Sequence, residues 1–393
     1  RRGRAAIALG AVAAVCGVVV APLIAATSST TPYETAQGFR PRVPSQAPPL
    51  PSFESTAGAA ARDETGSSGP SEEEPGLQAR LRNWADSHGL AGAAAAVSYA
   101  DSAPMVAASG VDASGEPRSA SDRLALESVT KLFTANLVYR AVDAGLIDLD
   151  APISTVGSLA ELPYADRITP RSLLTHRSGV VNYRDTEDYL RDPASMVEPI
   201  DAVSAALAGT AESDLGTTRY SSTNYLVLGM LLEQATGRTF DELLRSELLD
   251  PLELPATSHM PSEPGEPRFA TGGLVADLAD LTRAGAALLR SHVGISDTAF
   301  DTMTRPDLEA GMGAGTMDYC PCNIDEDGVA RSFAIGYAGG DVLLVYVPSY
   351  DAVVAVAVTG GYTGGIDVQD AIDLVQALAR DHVVAEAPEA VTT

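Results

Sequence analysis

Leu126-Glu127-Ser128-Val129-Thr130-Lys131 places a serine three residues ahead of a lysine, at the start of a run whose apolar positions Val129, Leu132, Phe133, Leu137 and Val138 define one side of a helix. Residues three apart on a helix are neighbours, so the Lys131 amine falls within reach of the Ser128 hydroxyl. A helix N-terminus also favours a developing alkoxide. The spacing alone equally describes an N-cap followed by a solvated lysine. Composition separates the two readings: of 26 basic residues, Lys131 is the only lysine, and every other one is arginine. A guanidinium cannot give up its proton inside a protein, whereas a desolvated amine can act as a base. Ser128 is therefore expected to be a nucleophile, with Lys131 helping to deprotonate it.

Further along, Tyr220-Ser221-Ser222-Thr223-Asn224-Tyr225 precedes a helical run from Leu226 to Gln234 and can present a tyrosine hydroxyl to a cleft. A tyrosine before a helix is also a common packing residue. Strand signals bracket this helical middle, which runs from Ser128 to about Arg290. Leu77 to His88 has helical periodicity, and Ala91 to Ala100 and Met105 to Ser109 read as strands broken by a turn. Val342 to Val347 and Ala352 to Thr359 are β-rich runs joined by Pro348-Ser349-Tyr350-Asp351, a hairpin signal, and Asp367 to His382 closes as an amphipathic helix. Strands at both ends with helices between them imply one sheet completed by the two termini.

The chain opens with Arg1, Arg2 and Arg4, then runs without a charge from Ala5 to Ala26. That polarity and length fit an export signal cleaved near Ala26 or an uncleaved membrane anchor, and both put the rest of the chain outside the cytoplasm. Cys16 reads as filler within this run. From Thr27 to about Gly76 the composition shifts to Pro, Ser, Thr, Gly and Glu, which cannot bury enough apolar surface to order itself and reads as a disordered spacer. Residues 77–385 then form the globular domain, with a helical subdomain over about 132–290, and 386–393 are a tail. A net charge of −26 repels phosphate backbones, so nucleic acid is not an expected partner. Cys320 and Cys322 are too few for a disulfide scaffold or a zinc site, leaving either a strained local disulfide or two free thiols. Neither a metal nor another cofactor is expected.

From about residue 80 to 380 the chain resembles the serine β-lactamase-related family, which includes class C β-lactamases, DD-carboxypeptidases and β-lactamase-fold esterases. The resemblance rests on Leu126 to Lys131, on Ile168-Thr169-Pro170-Arg171-Ser172-Leu173-Leu174-Thr175-His176-Arg177-Ser178-Gly179, and on Tyr220 to Gly229 with Thr236-Gly237 and Asp250-Pro251-Leu252. The second and third blocks look most like actinobacterial secreted DD-carboxypeptidases. The resemblance implies an α+β fold: an antiparallel sheet flanked by terminal helices, an all-helical subdomain, and a cleft between them. Ser128 would attack a small acyl substrate or cell-wall peptide, Lys131 and Tyr220 would shuttle its proton, and water would release the acyl group. The oxyanion would be held by the Ser128 N–H and by one near Gly339 or Gly340.

Two departures from the family pattern stand out. Ser222 occupies the place of the asparagine in the family's Tyr-x-Asn element and offers a shorter reach and fewer donors. The family's Lys or His, any residue, then Gly has Tyr337-Ala338-Gly339 as its nearest match, unless that element is deleted altogether. Tyr337 carries no positive charge to hold a substrate carboxylate, so short neutral esters are expected to react faster than penicillins or D-Ala-D-Ala peptides. The same departures support an alternative, a catalytically inactive binding module of this fold. His176 lies in a block that resembles a structural feature of the family and is expected to be structural instead of part of a Ser-His-Asp triad. No Gly-x-Ser-x-Gly elbow is present. Thr271-Gly272-Gly273-Leu274 lacks the lysine of a phosphate loop and is expected to let the backbone approach the cleft.

Overall fold

In chain order the computed structural model has helix α1 (Pro75–Ser87), strands β1 (Gly92–Tyr99), β2 (Met105–Gly110) and β3 (Leu124–Ala125), helices α2 (Thr130–Asp143), α3 (Pro170–Leu174), α4 (Glu187–Arg191), α5 (Pro199–Ala208), α6 (Ser222–Thr236) and α7 (Phe240–Leu244), strand β4 (Ser258–His259), helix α8 (Phe269–Gly272), strand β5 (Leu274–Ala276), helices α9 (Leu278–Gly285) and α10 (Asp297–Thr304), and strands β6 (Val342–Val347) and β7 (Ala352–Val358). The structure describes residues 50, 75–305, 313–316, 341–360, 371, 374, 375, 377 and 378, all within the unit Pro41–Thr393.

The main sheet has the order β2-β1-β7-β6 and is antiparallel throughout. Its N-terminal and C-terminal strands meet at β1 and β7, where Ala93 pairs with Val358 and Tyr99 with Ala352. All eight residues of β1 and all seven of β7 are buried, because both faces of the sheet are covered. On one face Leu77, Leu81 and Ala85 of α1, together with Ala371, Leu374, Val375 and Leu378, pack on Ala95, Val97, Val345, Val354 and Val356. On the other, α9 comes so close that a Cβ on Gly285 would sit 2.8 Å from Val353 and 2.9 Å from Leu344. A strand buried on both sides has no polar face, which is why these segments read as continuous apolar runs instead of alternating ones. Alanine and valine dominate because helices approach from both sides, and each buried valine contributes about 1.5 to 3 kcal/mol.

The middle of the chain is mostly helical. Its hub is α6, buried from Thr223 to Leu232 and packed against α2, α3, α5, α7 and α8. Gly229 allows the contact with α8, since a Cβ there would lie 2.4 Å from the Phe269 ring and 2.6 Å from Ala270 Cβ. The middle is not wholly helical, however. A second, three-stranded sheet of order β3-β5-β4 joins Leu124–Ala125 to Leu274–Ala276 and Ser258–His259. Strands of two or three residues are too short to show alternation in sequence. Among the described residues no helix is long and apolar enough to cross a membrane. The apolar run 5–26, most of the spacer, Cys320 and Cys322 lie outside the described residues, as does most of the C-terminal helical segment.

Candidate active site

The small sheet sets the position of Ser128. Leu126 N–H donates to Leu274 O at 2.8 Å, which carries the β3–β5 pairing up to the residue before Glu127. The chain then turns through a single 3-10 turn, Glu127–Val129, and only at Thr130 does α2 begin. Ser128 therefore sits in the turn that feeds the helix instead of in its first α-helical turn. Glu127 reaches this turn with φ of +45°, a left-handed conformation uncommon for a residue with a Cβ.

The side chains singled out in the sequence meet here. Lys131 Nζ donates to Ser128 Oγ at 2.8 Å and to the Thr271 carbonyl at 2.8 Å. Tyr220 OH hydrogen bonds with Ser128 Oγ at 2.6 Å. Two neighbouring threonines of α2 stitch the helix to the same backbone: Thr130 Oγ1 accepts from Leu274 N at 3.1 Å, and Thr134 Oγ1 donates to Ala270 O at 2.7 Å. The expected approach of Thr271-Gly272-Gly273-Leu274 to the cleft is thus a backbone wall that holds the lysine.

Lys131 is only 4% exposed. Burial, reinforced by the Arg184 charge and opposed by Glu127, lowers its amine from 10.5 to about 7. Tyr220 is half-buried, and burial pushes its phenol up to about 12, although hydrogen bonds with Ser128 and Ser222 pull the other way. A neutral amine and a neutral phenol on either side of one serine hydroxyl can accept and relay its proton near neutrality.

Tyr220 is held by residues that the sequence pattern does not single out for this task. Arg219 N–H donates to His176 O at 2.9 Å and Gly216 N–H to Ser178 O at 3.2 Å, which lashes the segment before Tyr220 to the loop after α3. His176 is buried and its Nδ1 accepts from Ser221 N–H at 3.1 Å and from Asn224 Nδ2 at 3.2 Å. Ser178 Oγ donates to Asn224 Oδ1 at 2.7 Å, orienting that amide. The imidazole ring packs on the Tyr220 ring, centroids 4.5 Å apart. Burial, then the Lys131 charge, lowers His176 to about 3, so it is a neutral acceptor and packing plate that makes no bond to Ser128 among the described residues. Gly179 closes this loop with φ of +73°, and a Cβ there would lie 1.8 Å from Asp214 O.

Ser222 begins α6, half-buried, with its hydroxyl on the Tyr220 phenol. Arg184, whose charge acts on Lys131 and Tyr220, donates from Nη2 to Glu266 Oε2 at 2.9 Å and from Nε to Tyr183 OH at 2.9 Å. Tyr337, Gly339 and Gly340, expected to complete the cleft, lie outside the described residues.

Residues 77–379 match the family model described as Beta-lactamase. The chain is 34% identical over 139 residues to penicillin-binding protein 4 of Amycolatopsis lactamdurans, covering 35% of this chain and 36% of that protein. It is 25% identical over 148 residues to teichoic acid D-alanine hydrolase of Staphylococcus aureus, covering 37% of this chain and 34% of that protein. Each match spans about a third of the relative's length. Among solved structures, a D-stereospecific amidohydrolase from Streptomyces sp. superposes with a TM-score of 0.60 at 23% identity, over 75% of this chain and 97% of that one, which shows the fold.

Proposed function

We propose, because this chain belongs to the Beta-lactamase family, that it is a serine hydrolase acting outside the cytoplasm through an acyl-enzyme on Ser128. The observation that carries the reading is the serine hydroxyl bonded at once to Lys131 Nζ at 2.8 Å and Tyr220 OH at 2.6 Å. Ser128 Oγ attacks the carbonyl carbon of a peptide, lactam or ester as its proton passes to the neutral Lys131 amine. That proton moves through Tyr220 to the leaving nitrogen or oxygen as the carbon–heteroatom bond breaks. Water then attacks the acyl carbon and gives a proton to the same pair, which returns it to Ser128 Oγ as the ester bond cleaves.

The similarity to a penicillin-binding protein and to a teichoic acid D-alanine hydrolase supports a small amide or ester as substrate. The uncharged run Ala5 to Ala26 and the Pro/Ser/Glu-rich stretch after it support an exported domain, released or anchored. Ser222 in place of an asparagine supports a second reading, an inactive binding module of the same fold. Incubating the protein with a fluorophosphonate and with a fluorescent penicillin, followed by intact mass, decides between them. One adduct per chain that is lost in Ser128→Ala is the expected result; no adduct with either reagent would overturn the hydrolase reading. A panel comparing a neutral p-nitrophenyl ester with a chromogenic cephalosporin is expected to favour the ester.

A further inference from the structure

Glu127 is the residue immediately before Ser128, its Cα one peptide unit, about 3.8 Å, from that of the serine. Its backbone holds φ of +45°, a conformation that glycine adopts freely and that is uncommon for a residue with a Cβ. The half-buried carboxylate lies along the wall that anchors Lys131: a Cβ on Gly272 would be 3.7 Å from Glu127 Oε2, and the next residue back, Thr271, supplies the carbonyl that holds Lys131 Nζ.

The carboxylate makes no hydrogen bond or ion pair with any described residue. The cations around it are otherwise engaged. Lys131 is bonded to Ser128 and Thr271, Arg184 to Glu266 and Tyr183, and Arg268 is paired with Glu263. Burial is unfavourable for a carboxylate and raises its pKa above the ordinary value, against the opposing charges of Arg184, Lys131 and Arg268. A cation arriving with the substrate would relieve that cost.

We propose that Glu127 is a specificity-determining residue that binds an ammonium group on the acyl part of the substrate, one or two bonds from the carbonyl that Ser128 attacks. This rests on Ser128 being the acylated nucleophile and goes beyond it by assigning the acyl group a positive charge. The net charge of −26 works in the same direction, drawing cationic substrates to the protein and repelling anionic ones.

The test compares p-nitrophenyl esters of alanine and of N-acetylalanine, identical but for the charged amine, on the wild-type protein, Glu127→Gln and Glu127→Gly. The glycine variant suits the left-handed backbone, so failure to fold cannot account for its behaviour. The wild type should prefer the amine-bearing ester, and in both variants the ratio of kcat/KM for the two esters should fall about ten- to hundredfold, the range of a charge-assisted hydrogen bond, a ratio from which any common effect of the Glu127 charge on Lys131 cancels. A wild type without that preference, or a parallel loss on both esters, overturns the proposal; the parallel loss would mean that the carboxylate acts only through Lys131. Fluorophosphonate labelling separates the two layers. Labelled protein that ignores the amine refutes the ammonium site alone, and protein that is not labelled at all refutes the hydrolase reading and this inference together.

Discussion

Raising the pH from 6 to 8 should increase kcat/KM on a neutral ester about tenfold, along a single-proton limb centred near 7. The Lys131 amine, lowered to about 7 by burial first and by Arg184 second, is neutral in about a tenth of molecules at pH 6, half at pH 7 and nine tenths at pH 8. A lysine at its ordinary pKa would be neutral in only about one molecule in 3,000 at pH 7, so burial supplies roughly a thousandfold more usable base. His176 is held near 3 and Tyr220 near 12, so neither titrates in this window. The limb is assigned to Lys131 by its expected loss in Lys131→Arg. The assay is kcat/KM from pH 5 to 9 at constant ionic strength. A flat profile between 6 and 8, a limb near 10, or the same limb in Lys131→Arg would refute the reasoning. The same shift has a stability signature. Below about 7 Lys131 is charged both folded and unfolded, and its burial cost is full. Between about 7 and 10.5 the unfolded chain holds a proton that the folded one has lost, so this group makes stability rise with pH, by on the order of 1 kcal/mol per unit. Lys131→Met should thus be stabilised over wild type most at pH 6.5 and less at pH 8.5, as read by urea denaturation.

Lys131→Arg is expected to lower kcat/KM by about a hundredfold or more while leaving the far-UV spectrum unchanged, because charge is kept and the proton acceptor is lost. Tyr220→Phe keeps the ring against His176 but removes the hydroxyl 2.6 Å from Ser128; kcat should fall about a hundredfold or more with KM little changed in steady-state assays. His176→Phe leaves the Ser221 N–H and the Asn224 amide without their acceptor, at about 1 to 3 kcal/mol each. Melting temperature and kcat should drop together, and an unchanged melting curve would contradict the positioning role. Gly179→Ala drives a Cβ to within 1.8 Å of Asp214 O at a left-handed residue, and is expected to leave little soluble, folded protein in an expression trial.

The parts of this chain that announce themselves in sequence are those whose signal is carried by residue type. A lone lysine among arginines marks Lys131, and the strand runs at both ends mark a sheet closed by β1 and β7. The Thr271 carbonyl cannot be found that way, because every residue has one and only the fold selects which accepts from Lys131. His176 is conspicuous in the sequence, but whether an imidazole titrates or merely accepts depends on its burial and on Ser221 and Asn224, which approach it from another segment. Ser128 is expected at a helix N-terminus and lies in a 3-10 turn ahead of it, because Leu126 is still bound to Leu274 and the chain must turn before α2 can start. Glu127 reads as any acidic residue, since a dihedral angle leaves no mark on composition.

The serine hydroxyl has a single hydrogen and two partners, a mismatch whose effect heavy-atom positions alone would not reveal. While Lys131 is an ammonium it has hydrogens for both Ser128 and Thr271, and the serine oxygen is an acceptor that gives its own hydrogen toward Tyr220. Once the amine is neutral, it can keep one hydrogen on Thr271 and turn its lone pair to Ser128, so the bond between them reverses its polarity with no change in its 2.8 Å length. The inert and the armed enzyme are then the same shape. Structures determined at pH 5 and pH 9 should superimpose within error at this site, and only a method that sees hydrogen, such as neutron diffraction, would tell them apart.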